Sequence, residues 1–369
     1  MSSTGTCHFE RCEESPPGRA GFFVSLRKMM GLFNRPLLLI SFTVAAAFGA
    51  GAAMAAEVNV YSYRQPALMQ PLFDKFTAAT GIEVNSLFAE KGLAERIKAE
   101  GVNSPADVIL ASDIARLSEA VEAGITQPVD SQTLATVIPA PLRDPANHWF
   151  ALTQRARVVY ASKERVKAGE VTSYEALAET QWKGRICSRS GASDYNVALL
   201  AAQIAHHGEA EAAKWLKGLR ANLARKPQGD DRAQIRAVAQ GECDIALGNS
   251  YYLAVMLADP AQRPFAEAVN ILFPNQQDRG AHINISGMAM AKHAPNREAA
   301  LKLMEFLSGK EAQQLYAEIN NEYPVSPDAP WSALMQDWGK FKADELPLAD
   351  IARHRVRALE IVYETGFDQ

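Results

Sequence analysis

Three tyrosines carry the clearest chemistry in this sequence. Tyr251 and Tyr252 stand side by side after the apolar run Cys243-Asp244-Ile245-Ala246-Leu247, which is closed by Gly248-Asn249-Ser250. Tyr195 follows a similar passage, Arg185-Ile186-Cys187 leading to Ser193-Asp194. All three are expected just beyond the carboxyl ends of strands, where open parallel sheets place their ligand sites. A phenol ionises at about pH 10 in isolation, so an unassisted trio is neutral at physiological pH. A trivalent cation reverses that preference, because a bound metal favours the deprotonated form of its ligands. Three phenolates would neutralise a hard, oxygen-loving ion such as Fe3+, whereas soft thiolates select other metals. The competing reading is structural, with one tyrosine of the pair packed inward and the other facing solvent. Spacing alone leaves both open.

The elements that must position these phenols follow a regular grammar. Val58-Asn59-Val60-Tyr61-Ser62-Tyr63 alternates like a strand, and Pro66 begins a helical pattern with Leu68, Leu72, Phe73 and Phe76 on one face, stopped by Gly81. Ile82 to Phe88 predicts a strand, Leu93 to Ala99 a helix ended by Gly101, Asp107 to Leu110 a strand, and Ile114 to Ala123 a helix stopped by Gly124. This β-α-β-α-β-α order predicts an α/β fold with a parallel sheet covered by helices. A stretch with prolines at 128, 139, 141 and 145 follows, and the strand Arg157 to Tyr160 opens a second unit. That unit is expected to hold strand 185–189, helices over 196–207 and 209–224, a helix after Asp230-Asp231, and the strand ending at Asn249. Strands Val269 to Phe273 and His282 to Met290 lead to helices over 297–308 and 310–320. Two such units suggest paired lobes around a cleft that captures a small solute.

The N-terminus predicts export. Arg27-Lys28 and Arg35 precede Pro36-Leu37-Leu38-Leu39-Ile40-Ser41-Phe42 and an alanine- and glycine-rich run ending at Ala53-Met54-Ala55, the pattern of a signal peptide over 29–56. Its apolar core is shorter than the roughly 20 residues a spanning helix needs. Residues 1–28, polar and holding Cys7 and Cys12, fit poorly ahead of it, and translation from Met29 or Met30 is the expectation. Removing residues 1–56, with five basic and three acidic side chains, from a chain of net charge −4 leaves a mature protein of charge −6. A mildly acidic chain without a basic block excludes nucleic acid as a partner. Two cysteines remain, Cys187 and Cys243, each in a short strand preceding a tyrosine site. They are either a disulfide locking neighbouring strands, as exported proteins favour, or two buried thiols.

Val58 through Arg64, Ser104-Pro105-Ala106-Asp107-Val108, Arg155-Ala156-Arg157, Asp194-Tyr195-Asn196, Lys226 through Asp230, Asp244 through Tyr252 and Asn284-Ile285-Ser286-Gly287 together resemble the periplasmic ferric-ion-binding proteins of iron ABC transporters. The resemblance covers essentially the whole mature chain. It implies a two-lobed type II binding-protein fold, with residues 57–154 and 284–369 as one lobe and 155–283 as the other. It also implies that Tyr195, Tyr251 and Tyr252 hold Fe3+. Many relatives add a histidine after the first strand and some a carboxylate after the third; here those places read Gln65-Pro66 and Ser112-Asp113, neither a convincing ligand set. The resemblance then implies carbonate or another synergistic anion beside the iron, for which Arg155 is the first candidate partner, Arg64 the second, and Tyr63 a contributor of a hydrogen bond across the cleft. It further implies a periplasmic monomer delivering iron to an inner-membrane ABC permease and its ATPase. The alternative is a binding protein for another small solute or oxyanion. None of the histidines is assigned to metal, although His282 begins a strand that could cross between lobes. No nucleophile elbow, phosphate loop or metalloprotease helix is present, so no enzyme is expected.

Overall fold

The computed structural model describes residues 56–369. The expected signal peptide and the segment 1–28 ahead of it lie outside that range. The described chain holds ten strands: β1 (Glu57–Ser62), β2 (Glu83–Phe88), β3 (Val108–Ala111), β4 (Thr126–Gln127), β5 (Trp149–Ser162), β6 (Ile186–Cys187), β7 (Ile245–Asn249), β8 (Val269–Leu272), β9 (Ile283–Ala291) and β10 (Tyr323–Pro324). Their spatial order is β2-β1-β3-β9-β5-β7-β6, with β10 and β8 also on β5 and β4 on β9.

β1 pairs in parallel with both β2 and β3, as the β-α-β pattern predicts. The helix Pro66–Thr80 between them starts on a proline whose missing N–H is not needed there, and ends at Gly81, which donates its N–H to the Thr77 carbonyl and turns the chain out of the helix with a left-handed φ of 71°. Its buried face is Met69, Leu72, Phe73 and Phe76; Met69, rather than the neighbouring Leu68, completes the stripe.

The strand expected at Arg157 begins eight residues earlier. β5 runs for 14 residues, antiparallel to β9 along one stretch and to β7 and β8 along the other, so two sheets share it. Trp149-Phe150-Ala151-Leu152 is buried on both faces and therefore lacks the alternation by which a half-buried strand is recognised. Beyond it, Ala156, Val158 and Tyr160 enter a core with Cys187, Ile235, Val238, Leu253 and Met256. Arg155 and Arg157 occupy the opposite face, as period two requires.

β6 and β7 are parallel neighbours, and Cys187 and Cys243 form a disulfide with Cα atoms 5.8 Å apart, an ordinary separation for a bridge. At the C-terminus, the helix Leu348–Arg353 touches both Ile114–Glu122 and Asp194–His207. The residues after it fasten to the second sheet's surroundings: Arg355 pairs with Asp194, Arg357 with Glu209 at 2.8 Å, and the Asp368 carboxylate accepts from the Gly191 N–H and the Ser190 hydroxyl, both at 2.7 Å. No described helix is long and apolar enough to cross a membrane.

Candidate functional site

The three tyrosines stand on helix first turns rather than in loops. Tyr195 is the second residue of the helix Asp194–His207, and Tyr251 and Tyr252 are the second and third of Ser250–Ala258. β7 runs straight into the second helix, while the loop after β6 is pinned by Asn196, whose amide donates to the Ser188 hydroxyl and to the Arg189 and Ser190 carbonyls. Gly248, one residue before the end of β7, has no substitute: a Cβ there would lie 2.1 Å from the Tyr160 ring. Tyr160 closes the packing by donating its hydroxyl to the Asn249 carbonyl.

The structure brings the three phenols together. The Tyr251 hydroxyl donates to that of Tyr195 at 3.1 Å, and the rings of Tyr251 and Tyr252 are 4.3 Å apart. Burial, then the neighbouring phenols Tyr195 and Tyr252, pushes Tyr251 well up from its ordinary pKa, with Arg155 opposing. Burial and then Tyr195 push Tyr252 up to about 12. Helix N-termini favour negative charge, so the sites disfavour phenolate by burial and oppose that through the helix field. Three clustered phenol oxygens are a hard-donor set of the kind a trivalent cation selects. Among the described residues no three of His, Cys, Asp and Glu come together as an alternative metal site.

Three guanidiniums surround Tyr195, with Arg189, Arg155 and Arg157 at 4.9, 5.6 and 5.8 Å from its ring centre. Arg157 donates to Asp231 at 2.8 Å, to Asn249 at 3.0 Å and to Asn196 at 2.7 Å, tying both tyrosine helices to β5. Asp231, fully buried, also accepts from Arg189 at 3.2 Å and from the Asn249 N–H at 2.8 Å. Arg157, Arg189 and Asp231 were not singled out from sequence as site residues. The usable signal was Arg155-Ala156-Arg157, since residues two apart on a strand share a face.

Arg155 makes one long side-chain bond, at 3.2 Å, to Asp113. Asp113 caps the helix Ile114–Glu122 through the Ala115 N–H and accepts from Asn284 at 2.8 Å. Burial raises the Asp113 pKa, with Arg155 opposing. Arg64 is committed elsewhere: it pairs with Glu322 at 2.7 Å and donates to Ser286. Burial would lift the Glu322 carboxyl, but Arg64 outweighs it and holds it below its usual range. The Tyr63 hydroxyl accepts from the Ala94 N–H at 3.0 Å, and Arg116 covers its ring at 4.2 Å. His206 and His207 face Asp344 and Glu175, away from the phenols.

A mixed sheet pair joined through one strand, with helix N-termini and polar groups gathered beside that strand, defines the type II periplasmic binding-protein fold. A bacterial extracellular solute-binding protein family matches residues 103–343, and the chain belongs to that family, whose members bind solutes for transport rather than act as enzymes. The chain is 46% identical over 314 residues to a Synechocystis protein named iron uptake protein A1, covering 84% of this chain and 87% of that one. It is similar to the apo ferric ion-binding protein A of Pasteurella haemolytica, with 51% identity, a TM-score of 0.80, and 85% and 99% of the two chains covered. A Trichodesmium protein in complex with iron and citrate is 44% identical with a TM-score of 0.81, over 85% of this chain and all of that one.

Proposed function

We propose that the protein captures ferric iron in the periplasm through the phenolates of Tyr195, Tyr251 and Tyr252 and delivers it to an inner-membrane ABC permease and its ATPase. The observation that carries this reading is the convergence of three phenols from two helix N-termini, linked by the 3.1 Å Tyr251–Tyr195 hydrogen bond. The names of its relatives, iron uptake and ferric ion-binding proteins, support it. Carbonate or another synergistic anion completes the iron's coordination sphere, anchored by Arg155, whose bidentate fork suits an oxyanion and whose bond to Asp113 is long enough to yield. Arg64 and Tyr63 would reach that anion only by giving up Glu322 and Ala94. The lobes are residues 57–154 with 284–369, and 155–283, and the last helices of the first reach across to the second. The protein works as a monomer, and closure of the lobes on iron is the shape the permease reads.

The experiment is the visible spectrum of purified protein titrated with ferric iron, with and without bicarbonate. A phenolate-to-iron charge-transfer band that needs the anion and vanishes when all three tyrosines are phenylalanine supports the reading. Unchanged ferric affinity in that triple variant refutes it.

A further inference from the structure

The helix that carries Tyr195 is fed by a loop, whereas the helix that carries Tyr251 and Tyr252 continues directly from β7. Residues 188–193 span the gap after β6, and Tyr195 stands in the first helical turn, where backbone N–H groups lack helical partners and helices fray. Asn196 holds that loop from within its own helix, and the C-terminal segment holds it from outside. The Asp368 carboxylate accepts from three consecutive residues: the Ser190 hydroxyl and the Gly191 N–H at 2.7 Å, and the Ala192 N–H at 3.4 Å. Phe367, fully buried, seats on Gly191, where a Cβ would lie 2.6 Å from its ring. The segment is itself fixed, since Arg220 donates to the Thr365 carbonyl at 2.8 Å and the Phe367 N–H donates to the Val362 carbonyl at 3.2 Å. Arg355, which begins the helix Arg355–Glu364, pairs with Asp194. Two anchors from the C-terminal segment therefore fall on the residues just ahead of Tyr195.

We propose that Asp368 is a positioning residue for Tyr195, setting the Ser190–Ala192 turn so that the phenol meets Tyr251. This deepens the iron reading and rests on it. The Ser193 N–H donates to the Ser190 carbonyl at 3.1 Å, and the Ser193 side chain caps the helix through the Asn196 N–H. The turn that Asp368 grips thus runs without a break into the helix. A carboxylate that takes two backbone N–H groups and a hydroxyl is a charge-assisted anchor, stronger than the neutral bonds made by Asn196. A metal site needs its donors held within about 0.5 Å of the binding geometry, and Tyr195 is the one phenol of the three reached through a loop. Without the carboxylate the Gly191 and Ala192 N–H groups lose their acceptor, and the cost of ordering the first turn falls on iron binding.

The test is the ferric affinity of the mature protein, measured across pH by chelator competition in a double-mutant cycle. Asp368→Ala is expected to weaken binding at least about tenfold, the worth of one hydrogen bond to a charged group. It should also lower the pH slope of affinity by about one power of ten per unit, towards that of Tyr195→Phe, as Tyr195 ceases to give its proton up to iron. Added to Tyr195→Phe, the same substitution should change neither quantity, whereas added to Tyr252→Phe it should keep its full effect. Asp368→Asn, which retains one acceptor oxygen, should recover part of the affinity, and it carries the same cycle if Asp368→Ala does not fold. Equal losses with and without the Tyr195 hydroxyl would mean general destabilisation and overturn the proposal, as would an unchanged slope. A Tyr195→Phe protein that binds iron as wild type does would refute the iron reading itself, and the proposal with it.

Discussion

Iron capture by this site is expected to release protons, and their number can be read from the pH dependence of affinity. Tyr252 is held neutral, with its pKa pushed up to about 12, and Tyr251 is shifted in the same direction. At pH 7 a phenol titrating at about 12 costs about 7 kcal/mol to ionise, at 1.36 kcal/mol per unit. Iron must supply that energy, and each phenol loses its proton on binding. Below the phenol pKa values, each released proton raises affinity tenfold per pH unit, so three phenols give on the order of a thousandfold per unit. Competition against a chelator of known pH-dependent iron affinity, at fixed anion concentration, measures the slope. Tyr252→Phe and Tyr251→Phe should each lower it by about one power of ten per unit, because each removes one proton. A wild-type slope of one, or single variants that keep the full slope, refutes three-phenolate binding.

The sign reverses for the iron-free fold. A phenol whose folded pKa exceeds its unfolded value contributes stability that is complete below about pH 10 and is lost as pH rises through about 12. Alkaline denaturation of the iron-free protein should therefore be steeper in wild type than in Tyr252→Phe.

Gly248→Ala should lower the urea midpoint by the equivalent of about 1–3 kcal/mol and weaken iron binding, because its Cβ would collide with Tyr160 at 2.1 Å and displace the helix carrying the tyrosine pair. The penalty should shrink when Tyr160 is also made alanine. Replacing Cys187 and Cys243 together with alanine should cost about 4 kcal/mol for a crosslink spanning 56 residues, measured by chemical denaturation against the oxidised wild type. Glu322→Ala, which strands Arg64 in the core, should cost about 3–5 kcal/mol, and Arg64→Met with Glu322→Leu should recover much of it.

Periodicity and turn residues made the first sheet legible: Pro66, Gly81 and Gly124 bound helices where expected, and β1, β2 and β3 are parallel. Cys187 and Cys243 were legible only as a candidate bridge, each preceding a tyrosine site; Cys187 lies in β6, and Cys243 two residues before β7, the strand that β6 pairs with. Burial on both faces hid the start of β5, since a short apolar run without alternation reads equally as a buried strand or a buried helix. The helix Ser250–Ala258 was hidden for a related reason: Leu253, Ala254 and Met256 are buried, Tyr251 and Tyr252 half-buried, and no polar stripe marks a face. Asp231 illustrates a different limit. Its neighbour Asp230 caps the helix through the Ala233 N–H, while Asp231 turns inward to Arg157 and Arg189. The two adjacent aspartates differ by local position, one at the N-cap and one in the first turn, and by the packing that turns the second inward.

The arginine pair on β5 explains why one strand can serve both sheets and the site. Arg155 sits opposite Asn284 of β9 and Arg157 opposite Asn249 of β7, so the strand changes partners between two residues that point the same way. Arg157 is fixed by Asp231, Asn249 and Asn196, all within the tyrosine-bearing half. Arg155 instead reaches Asp113, which follows β3 in the other sheet and is anchored by Asn284. Separation of the proposed lobes would stretch the Arg155–Asp113 bond and leave the Arg157 network intact. An oxyanion arriving with iron would then compete with Asp113 for Arg155. Asp113→Asn keeps the helix cap and removes the competing charge. It should tighten the anion dependence of iron binding, and an unchanged bicarbonate requirement would show that Arg155 is not the anion's anchor.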